Sequence, residues 1–516
     1  MTVSDHGLEP MRELARSIEG TSGRVPMRWR FAPRFDYACR APRCGWRNGV
    51  PVATRGAEAV AIANWDAGQP AWADDAVGAR FEIGAGERAL LALVEAHAEP
   101  LVLPARHAVE RRAAETIRFW ESWTATCRYD GQWRDQVLRS ALVLKLLIFA
   151  PSGASVAAPT TSLPEELGGE RNWDYRFCWI RDSNFAMEAL LELGQWEEAK
   201  GLFWWFLQAT ARTEPDLRAL YRLDGDVHLP ERTLPLAGYK GSRPVRVGNG
   251  AIDQRQLDIY GHLFETAWLY SEGQRALDDD MGDVLGRVAD HVCDIWRLPD
   301  SGIWEVRNGE FHFTHSKVMC WVALDRAVRL AERGELPRTH APRWKREAAA
   351  IEAFVETNCW SDALKSYTRS AGDTHVDASL LMLPLIQYGE PTGPRINGTI
   401  DAVSRELQKG DFVYRYLAED GLAGGEGCFI NCSFWLASAL AHADRIDEAS
   451  ALMSRLTARA NDLGLYSEEI DPHSGEFLGN FPQALVHLAL IDAALAIDRA
   501  IERRSRAARE QTAGVR

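Results

Sequence analysis

The sequence predicts an all-α catalytic domain, an (α/α)6 barrel, preceded by an antiparallel β-sandwich. Near residue 109 the spacing of the apolar residues changes from every second residue to about every 3.6 residues. Twelve helical segments follow, and the connections between them alternate between short and long. Helices paired in this way favour two concentric rings, with a functional site at the end where the long loops gather.

The N-terminal β-sandwich domain is predicted to comprise residues 1–107. Alternating segments at 27–31, 60–65 and 79–83 predict short strands, and turns rich in Gly, Pro and Asp separate them. The first 24 residues show little pattern, and we expect them to be frayed. A Trp-bearing helix over 108–130 is predicted to connect the two domains.

The barrel domain is predicted to span residues 131–503. The charged tail at 504–516, rich in small residues, is expected to be disordered. The twelve predicted helices are 131–150, 183–194, 197–212, 255–274, 281–297, 314–333, 341–358, 376–386, 395–408, 432–443, 445–461 and 482–503.

The charge and composition of the chain exclude several classes of binding partner. The chain has 516 residues and a formal net charge of −14, which argues against nucleic acid and anionic membrane surfaces. The N-terminal residues lack a signal-peptide pattern, and we find no uncharged apolar run of membrane-spanning length. Nine scattered cysteines suggest buried free thiols, and their spacing forms no metal set. We therefore expect a cytoplasmic protein without a metal.

Residues 171–183 carry the first functional pattern. Four aromatic residues recur at every second position and lead to the charged pair Arg181 and Asp182 at a predicted helix start. Aromatic faces cover the C–H surfaces of sugars, and such charged groups bind neighbouring hydroxyls. In the alternative interpretation, the aromatics are core residues and Asp182 caps the helix. The four aromatics are Trp173, Tyr175, Phe177 and Trp179.

Two further stretches supply candidate carboxylates. Glu305 follows Trp304 in a short predicted strand before an Asn-Gly turn, and an indole environment would raise its pKa as a general acid requires. A surface pair with Arg307 is the alternative. Glu468 and Glu469 lie in an acidic loop before the last helix, which could also be a solvated turn. Two carboxyl groups are what glycoside hydrolysis needs.

Four ordered motifs resemble those of glycoside hydrolase family 15, which holds glucoamylases, glucodextranases and bacterial trehalases. Residues 173–182 (WDYRFCWIRD) resemble its Trp/Arg-Asp motif, and residues 302–305 (GIWE) resemble its general-acid motif. Residues 467–469 (SEE) resemble its general-base motif, and residues 426–435 (EGCFINCSFW) resemble a segment that lines its substrate site.

The resemblance implies an (α/α)6 barrel behind a β-sandwich, inversion at the anomeric carbon and no cofactor. It implies that Glu305 is the general acid and Glu468 the general base. It also implies substrate contacts by Arg181, Asp182, Trp179, Trp304, Trp435, Tyr175 and Glu469. The start of the chain departs from the family, because residues 1–30 lack its usual opening motif. We therefore expect an incomplete sandwich with an exposed edge and reduced solubility.

The predicted function is an exo-acting, inverting hydrolase that releases glucose from α-glucosides in the manner of a glucoamylase. A trehalase is the alternative, and the loops at 213–250 and 410–427 would decide between them by setting the depth of the pocket. A sugar-binding protein without catalysis is disfavoured by the presence of both Glu305 and Glu468. A polysaccharide lyase, which would need a basic groove, is disfavoured by the net charge of −14 and the lack of basic clusters in the sequence. The sequence does not predict an oligomeric state.

Overall fold

The computed structural model describes residues 12–273 and 277–514. The chain forms two compact units, residues 1–125 and residues 126–516. The helix predicted to connect them, α1 (Arg106–Ala125), belongs to the first unit. No described helix combines the length and the hydrophobicity that crossing a bilayer requires.

Antiparallel strands make up most of the first unit. Five strands pair in the order β1-β8-β5-β4-β3, and three more pair in the order β2-β7-β6. A core cluster combines Ile18 and Leu91 of the first sheet with Met27 and Phe81 of the second, so the two sheets pack face to face. The strands are β1 (Arg12–Glu19), β2 (Arg24–Phe31), β3 (Arg43–Arg47), β4 (Val50–Arg55), β5 (Glu58–Trp65), β6 (Ala71–Ala73), β7 (Ala76–Gly84) and β8 (Arg88–His97).

The three predicted strand segments fall within β2, β5 and β7. The expectation of a frayed start is wrong for residues 12–19, because β1 pairs along its whole length with β8. As an exposed edge strand, β1 carries charged residues on both faces and therefore lacks the alternating apolar pattern. Residues 1–11 lie outside the described part of the chain.

The second unit is built mainly from helices, and apart from the end of the last helix their ends agree with the predicted ones to within a few residues. They are α2 (Arg134–Leu147), α3 (Ile180–Glu192), α4 (Trp196–Thr210), α5 (Asp258–Glu272), α6 (Asp279–Ile295), α7 (Thr314–Arg333), α8 (Ala341–Asn358), α9 (Pro394–Leu407), α10 (Ile430–His442), α11 (Ile446–Thr457) and α12 (Ala484–Gly514).

Local signals account for several helix ends. The Asp278 side chain accepts a hydrogen bond from the Met281 amide and begins α6. At the end of α7, Gly334 has φ +86°, the left-handed conformation in which glycine is favoured. Pro394 stands in the first turn of α9, where its missing N–H is not needed.

Two predictions for the helical unit are wrong. Residues 376–386 form only a short 3-10 segment, Ala378–Met382, because Pro384 cannot continue a helical hydrogen-bond pattern. Residues 504–514, expected to be disordered, extend α12. This tail is rich in Ala, Arg and Glu, which are strong helix formers, and Arg504 pairs with Asp447 at 3.3 Å.

The inner elements of the second unit contact one another in a closed cycle. In order, α3, α5, α7, the 3-10 segment, α10 and α12 each contact the next, and α12 contacts α3 again. The remaining helices pack on these: α4 on α3, α6 and α8 on α7, α9 on the 3-10 segment, α11 on α10, and α2 on α12. The loops that precede the inner helices therefore meet at one end of this unit.

Short strand pairs stiffen those loops. They are Cys178–Trp179 with Leu220–Tyr221, Arg232–Leu234 with Val245–Val247, Trp360–Ser361 with Ser366–Tyr367, Gln408–Lys409 with Phe412–Val413, and a three-stranded set of Cys428–Phe429, Glu469–Ile470 and Phe477–Leu478.

Candidate active site

A cleft of about 760 Å³, including its open mouth, lies among these loops. The segments 171–182, 249–254, 303–307 and 415–422 supply most of its lining. Six predicted site residues line it directly: Tyr175, Trp179, Arg181, Asp182, Trp304 and Glu305. Trp173 lines it as well, whereas Phe177 is not among the lining residues. The period-two pattern thus brings three of its four aromatics to the cleft.

Arg181 and Asp182 are a charged pair that lines the cleft at the start of α3. The Arg181 guanidinium donates to the Ile303 carbonyl at 2.9 Å, and its Nε lies 3.5 Å from Asp182 Oδ1. Asp182 Oδ2 is buried and has no hydrogen-bond partner among the described residues. An unpartnered buried carboxylate oxygen is costly unless a ligand satisfies it. A sugar hydroxyl in the cleft would do so.

Glu305 occupies a tight turn. The prediction of a strand here is wrong, since Glu305 has φ +59° and its amide donates to the Gly302 carbonyl at 3.2 Å. A non-glycine residue in this conformation is strained, and such strain is concentrated at functional sites. Trp179 Nε1 donates to Glu305 Oε1 at 2.7 Å and holds the carboxyl group in place. Burial raises the pKa of Glu305, and the positive charge of Arg181 opposes that rise.

Glu468 is fully buried behind Tyr175. The Tyr175 hydroxyl donates to Glu468 Oε1, and the Asn480 amide donates to Oε2 at 3.3 Å. Burial raises the pKa of Glu468 to about 8, and the nearby negative charge of Glu165 adds to the rise. The hydrogen bond from Tyr175 favours the ionised form and opposes both effects.

The two carboxyl groups are linked through the rings that hold them. Trp179 donates to Glu305, Tyr175 donates to Glu468, and the two rings meet edge to face with their centroids 5.4 Å apart. Both aromatics come from one short segment, so a single stretch of backbone positions both candidate catalytic groups. This arrangement suits a reaction in which one carboxyl group gives a proton while the other takes one.

Two predicted substrate contacts lie behind the wall of the cleft. Trp435 is buried with its ring centroid 6.0 Å from that of Trp304, and it lines a second cavity further inside the helical unit. Trp304 separates it from the cleft and donates to Asp377 at 2.8 Å. Glu469 is fully buried, and its Oε2 accepts a hydrogen bond from the Gly427 amide at 2.7 Å. Trp435 and Glu469 are not among the residues that line the cleft, and neither is Glu468.

Glu469 belongs to a buried ionic cluster that sequence reasoning missed. Arg415 lies 3.1 Å from Glu165 and 3.8 Å from Glu469, and it also pairs with Glu426. The carboxylate oxygens of these three residues come within 4.8 Å of one another, a spacing that a metal ion could bridge. Because Arg415 already pairs with all three, we assign the cluster to charge pairing. Glu426 and Glu469 belong to two of the four sequence motifs, but nothing in the sequence linked them to Glu165 or Arg415.

Comparisons with known proteins find one matching family and several similar proteins. The model of the glycosyl hydrolases family 15 matches residues 131–495. A trehalase of Mycobacterium tuberculosis is 43% identical over 397 residues, which cover 75% of this chain and 58% of that protein. A trehalase of Thermoplasma acidophilum is 39% identical over 396 residues, covering 76% of this chain and 68% of that protein. The chain therefore spans less than two thirds of the length of the mycobacterial relative.

Solved structures show the same fold at low sequence identity. A bacterial glucoamylase complexed with acarbose matches with a TM-score of 0.65 and 14% identity, over 88% of this chain and 73% of that chain. A glycosidase variant in complex with glucose matches with a TM-score of 0.55 and 19% identity, over 70% of this chain and 96% of that chain. At these identities, the likeness concerns the fold alone.

Proposed function

The chain belongs to glycoside hydrolase family 15, and on this premise we propose that it hydrolyses trehalose to two molecules of glucose. The observation that carries the hydrolase proposal is the pair Glu305 and Glu468, both held by aromatic residues of one segment beside one cleft. The choice of trehalose rests on the relatives named trehalase, at 43% and 39% identity. These relatives favour the alternative over the glucoamylase-like activity placed first from sequence.

We also infer that the helical unit is an (α/α)6 barrel. The closed cycle of inner elements supports this inference, as does the outer layer of helices packed on them. The likeness to the bacterial glucoamylase supports it independently. A barrel of this kind would hold the starts of its inner helices, and hence Asp182 in the first turn of α3, in a rigid frame.

In the proposed mechanism, Asp182 and Arg181 bind hydroxyls of the first glucosyl unit. Glu305 gives its proton to the glycosidic oxygen while the bond from that oxygen to the anomeric carbon breaks. A water molecule attacks the same carbon from the opposite face, and Glu468 takes its proton. One water is consumed and two glucose molecules leave. Inversion releases the attacked glucose as the β-anomer.

The test is glucose release from trehalose, maltose, isomaltose and maltotetraose, measured side by side. We expect kcat/KM for trehalose to exceed the others by at least about 100-fold, since a site built for hydroxyl pairing discriminates strongly. NMR of the first-formed product should show the β-anomer. Comparable or higher rates on maltotetraose would support the glucoamylase-like activity instead. Release of glucose from none of the four would contradict the proposal.

The charge of Glu165 provides a prediction about pH. Glu165 raises the pKa of Glu468, so Glu165→Gln should lower that pKa. Since Glu468 must be ionised to act as the base, the acid limb of the kcat/KM profile should move to lower pH, by roughly one unit. The profile on trehalose measures this shift.

The control for the pH experiment is Glu166→Gln. This neighbouring carboxylate accepts a hydrogen bond from the Gly425 amide at 2.8 Å and is not among the charges that act on Glu468. Its profile should match that of the wild type. An acid limb that stays in place in Glu165→Gln, or moves to higher pH, would show that Glu165 does not set the protonation of the base.

A further inference from the structure

Two guanidinium groups lie over the ring of Trp173, which lines the cleft. Arg246 lies over the Trp173 ring at 4.5 Å from its centroid, and Arg307 lies over it at 4.4 Å. Stacking of this kind stabilises planar cations on an indole ring. Trp173 and Arg307 both line the cleft, whereas Arg246 is not among the lining residues. We call these three residues the rim stack.

A single carboxylate ties the rim stack together. Glu231 pairs with Arg246 at 3.3 Å and with Arg307 at 3.1 Å, and it also accepts a hydrogen bond from the Gly250 amide at 3.1 Å. Arg246 donates further to the carbonyls of Glu170 and Asn172, at 2.7 and 3.1 Å. Four separate loop segments therefore converge on this stack, which is held in one arrangement before any ligand binds.

The rim stack lies where the second sugar, which is the leaving group, would bind. The Arg181 and Asp182 side chains are only 12% and 5% exposed. Arg307 follows Glu305 by two residues, and its side chain is 34% exposed. The glycosidic oxygen must lie beside Glu305. A first sugar on Asp182 therefore leaves the second sugar on the mouth side, against Trp173 and Arg307.

The loop that contains Glu419 and Asp420 is bonded to the segment that carries Arg307. The Arg307 amide donates to the Asp420 carbonyl at 3.2 Å, and Asn308 Nδ2 donates to the Glu419 carbonyl at 2.8 Å. Arg171 fixes the same loop through a bidentate pair with Asp420, at 2.6 and 3.0 Å. The rim stack and this loop are thus joined into one wall of the cleft.

We propose that the rim stack forms the subsite for the second glucose of a disaccharide, with Arg307 as its specificity-determining residue. This inference rests on the proposed hydrolase function. The Arg307 guanidinium stacks on the ring of Trp173 and pairs with Glu231 through one nitrogen. Its remaining N–H groups can donate hydrogen bonds to sugar hydroxyls. Holding the departing glucose there aims the glycosidic oxygen at Glu305, so the binding energy contributes to the rate.

The test compares Arg307→Ala on two substrates. Trehalose needs both subsites, whereas α-glucosyl fluoride needs only the first, because its leaving group is a single fluoride. We expect kcat/KM for trehalose to fall roughly 30- to 100-fold, as for the loss of charge-assisted hydrogen bonds. The value for α-glucosyl fluoride should stay within about two-fold. Unchanged fluoride hydrolysis also demonstrates that the variant folds.

Arg395→Ala is the matched control. Arg395 likewise stacks on a tryptophan, Trp360, at 4.5 Å, and pairs with a carboxylate, Glu356, but it does not line the cleft. Both activities should remain unchanged in it. Equal loss on both substrates in Arg307→Ala, or loss on neither, would overturn the subsite assignment while leaving the proposed function standing. A wild-type protein inactive on both substrates would overturn the function and the subsite together.

Discussion

Replacing Glu305 with Gln is expected to lower kcat for trehalose by roughly 10³-fold, within the range of a lost general acid. The amide has nearly the shape of the carboxyl group and can still accept the Trp179 hydrogen bond, so the turn should survive. It cannot deliver a proton to the glycosidic oxygen. The loss should therefore appear in the chemical step, and initial rates on trehalose across a range of concentrations measure it.

A substrate with a better leaving group separates the acid role from a structural one. Fluoride leaves with much less protonation than a sugar oxygen, so α-glucosyl fluoride should be affected far less by Glu305→Gln. The control is Glu310→Gln in the same loop, where an exposed carboxylate pairs with Arg255 at 2.9 Å. It should keep wild-type rates. If Glu305→Gln lowered the hydrolysis rates of trehalose and α-glucosyl fluoride equally, the general-acid assignment would be wrong.

Glu468→Ala is expected to cause a loss of similar size, roughly 10³-fold on trehalose, because no other group would take the proton of the attacking water. Azide is a nucleophile that carries no such proton, and it fits the space left by a carboxylate. Adding azide should therefore restore turnover and yield glucosyl azide of β configuration. Product NMR together with the release rate of the second glucose measures both effects.

The matched control for this experiment is Glu476→Ala. Glu476 lies in the same acidic loop, but it is exposed and pairs only distantly with Lys240, at 3.6 Å. Its activity should stay at the wild-type level with or without azide. A Glu468→Ala protein that melts like the wild type and keeps its hydrolysis rate would exclude Glu468 as the base. Absence of azide rescue in a folded, inactive variant would contradict the role of Glu468 in activating water.

Much of the architecture could be predicted because its signals are local. Apolar spacing, caps such as Asp278 and stops such as Gly334 act within one or two helical turns. The predictions of secondary structure were wrong where tertiary contacts override the local sequence pattern. β1 is too polar to read as a strand, yet its pairing with β8 orders it. The sequence around Glu305 predicts a strand, but the Glu305 backbone adopts a positive φ in a turn that the surrounding loops stabilise.

The candidate site divides in the same way. The sequence by itself determined the motif residues, the order of the helices and the two candidate carboxylates, since residue types and short spacings carry that information. It left open which groups hold the two adjacent glutamates. The tertiary structure decided this, because Glu468 meets the Tyr175 hydroxyl from 293 positions away, whereas Glu469 lies 3.8 Å from Arg415.

Contacts between residues far apart in the sequence also decide the structure at the mouth of the cleft. Arg307 reads in the sequence as an ordinary surface residue. Its stacking on Trp173 and its pairing with Glu231 bring together segments far apart in the chain. Burial, pKa shifts and subsite walls depend on such distant contacts, which only the folded chain creates.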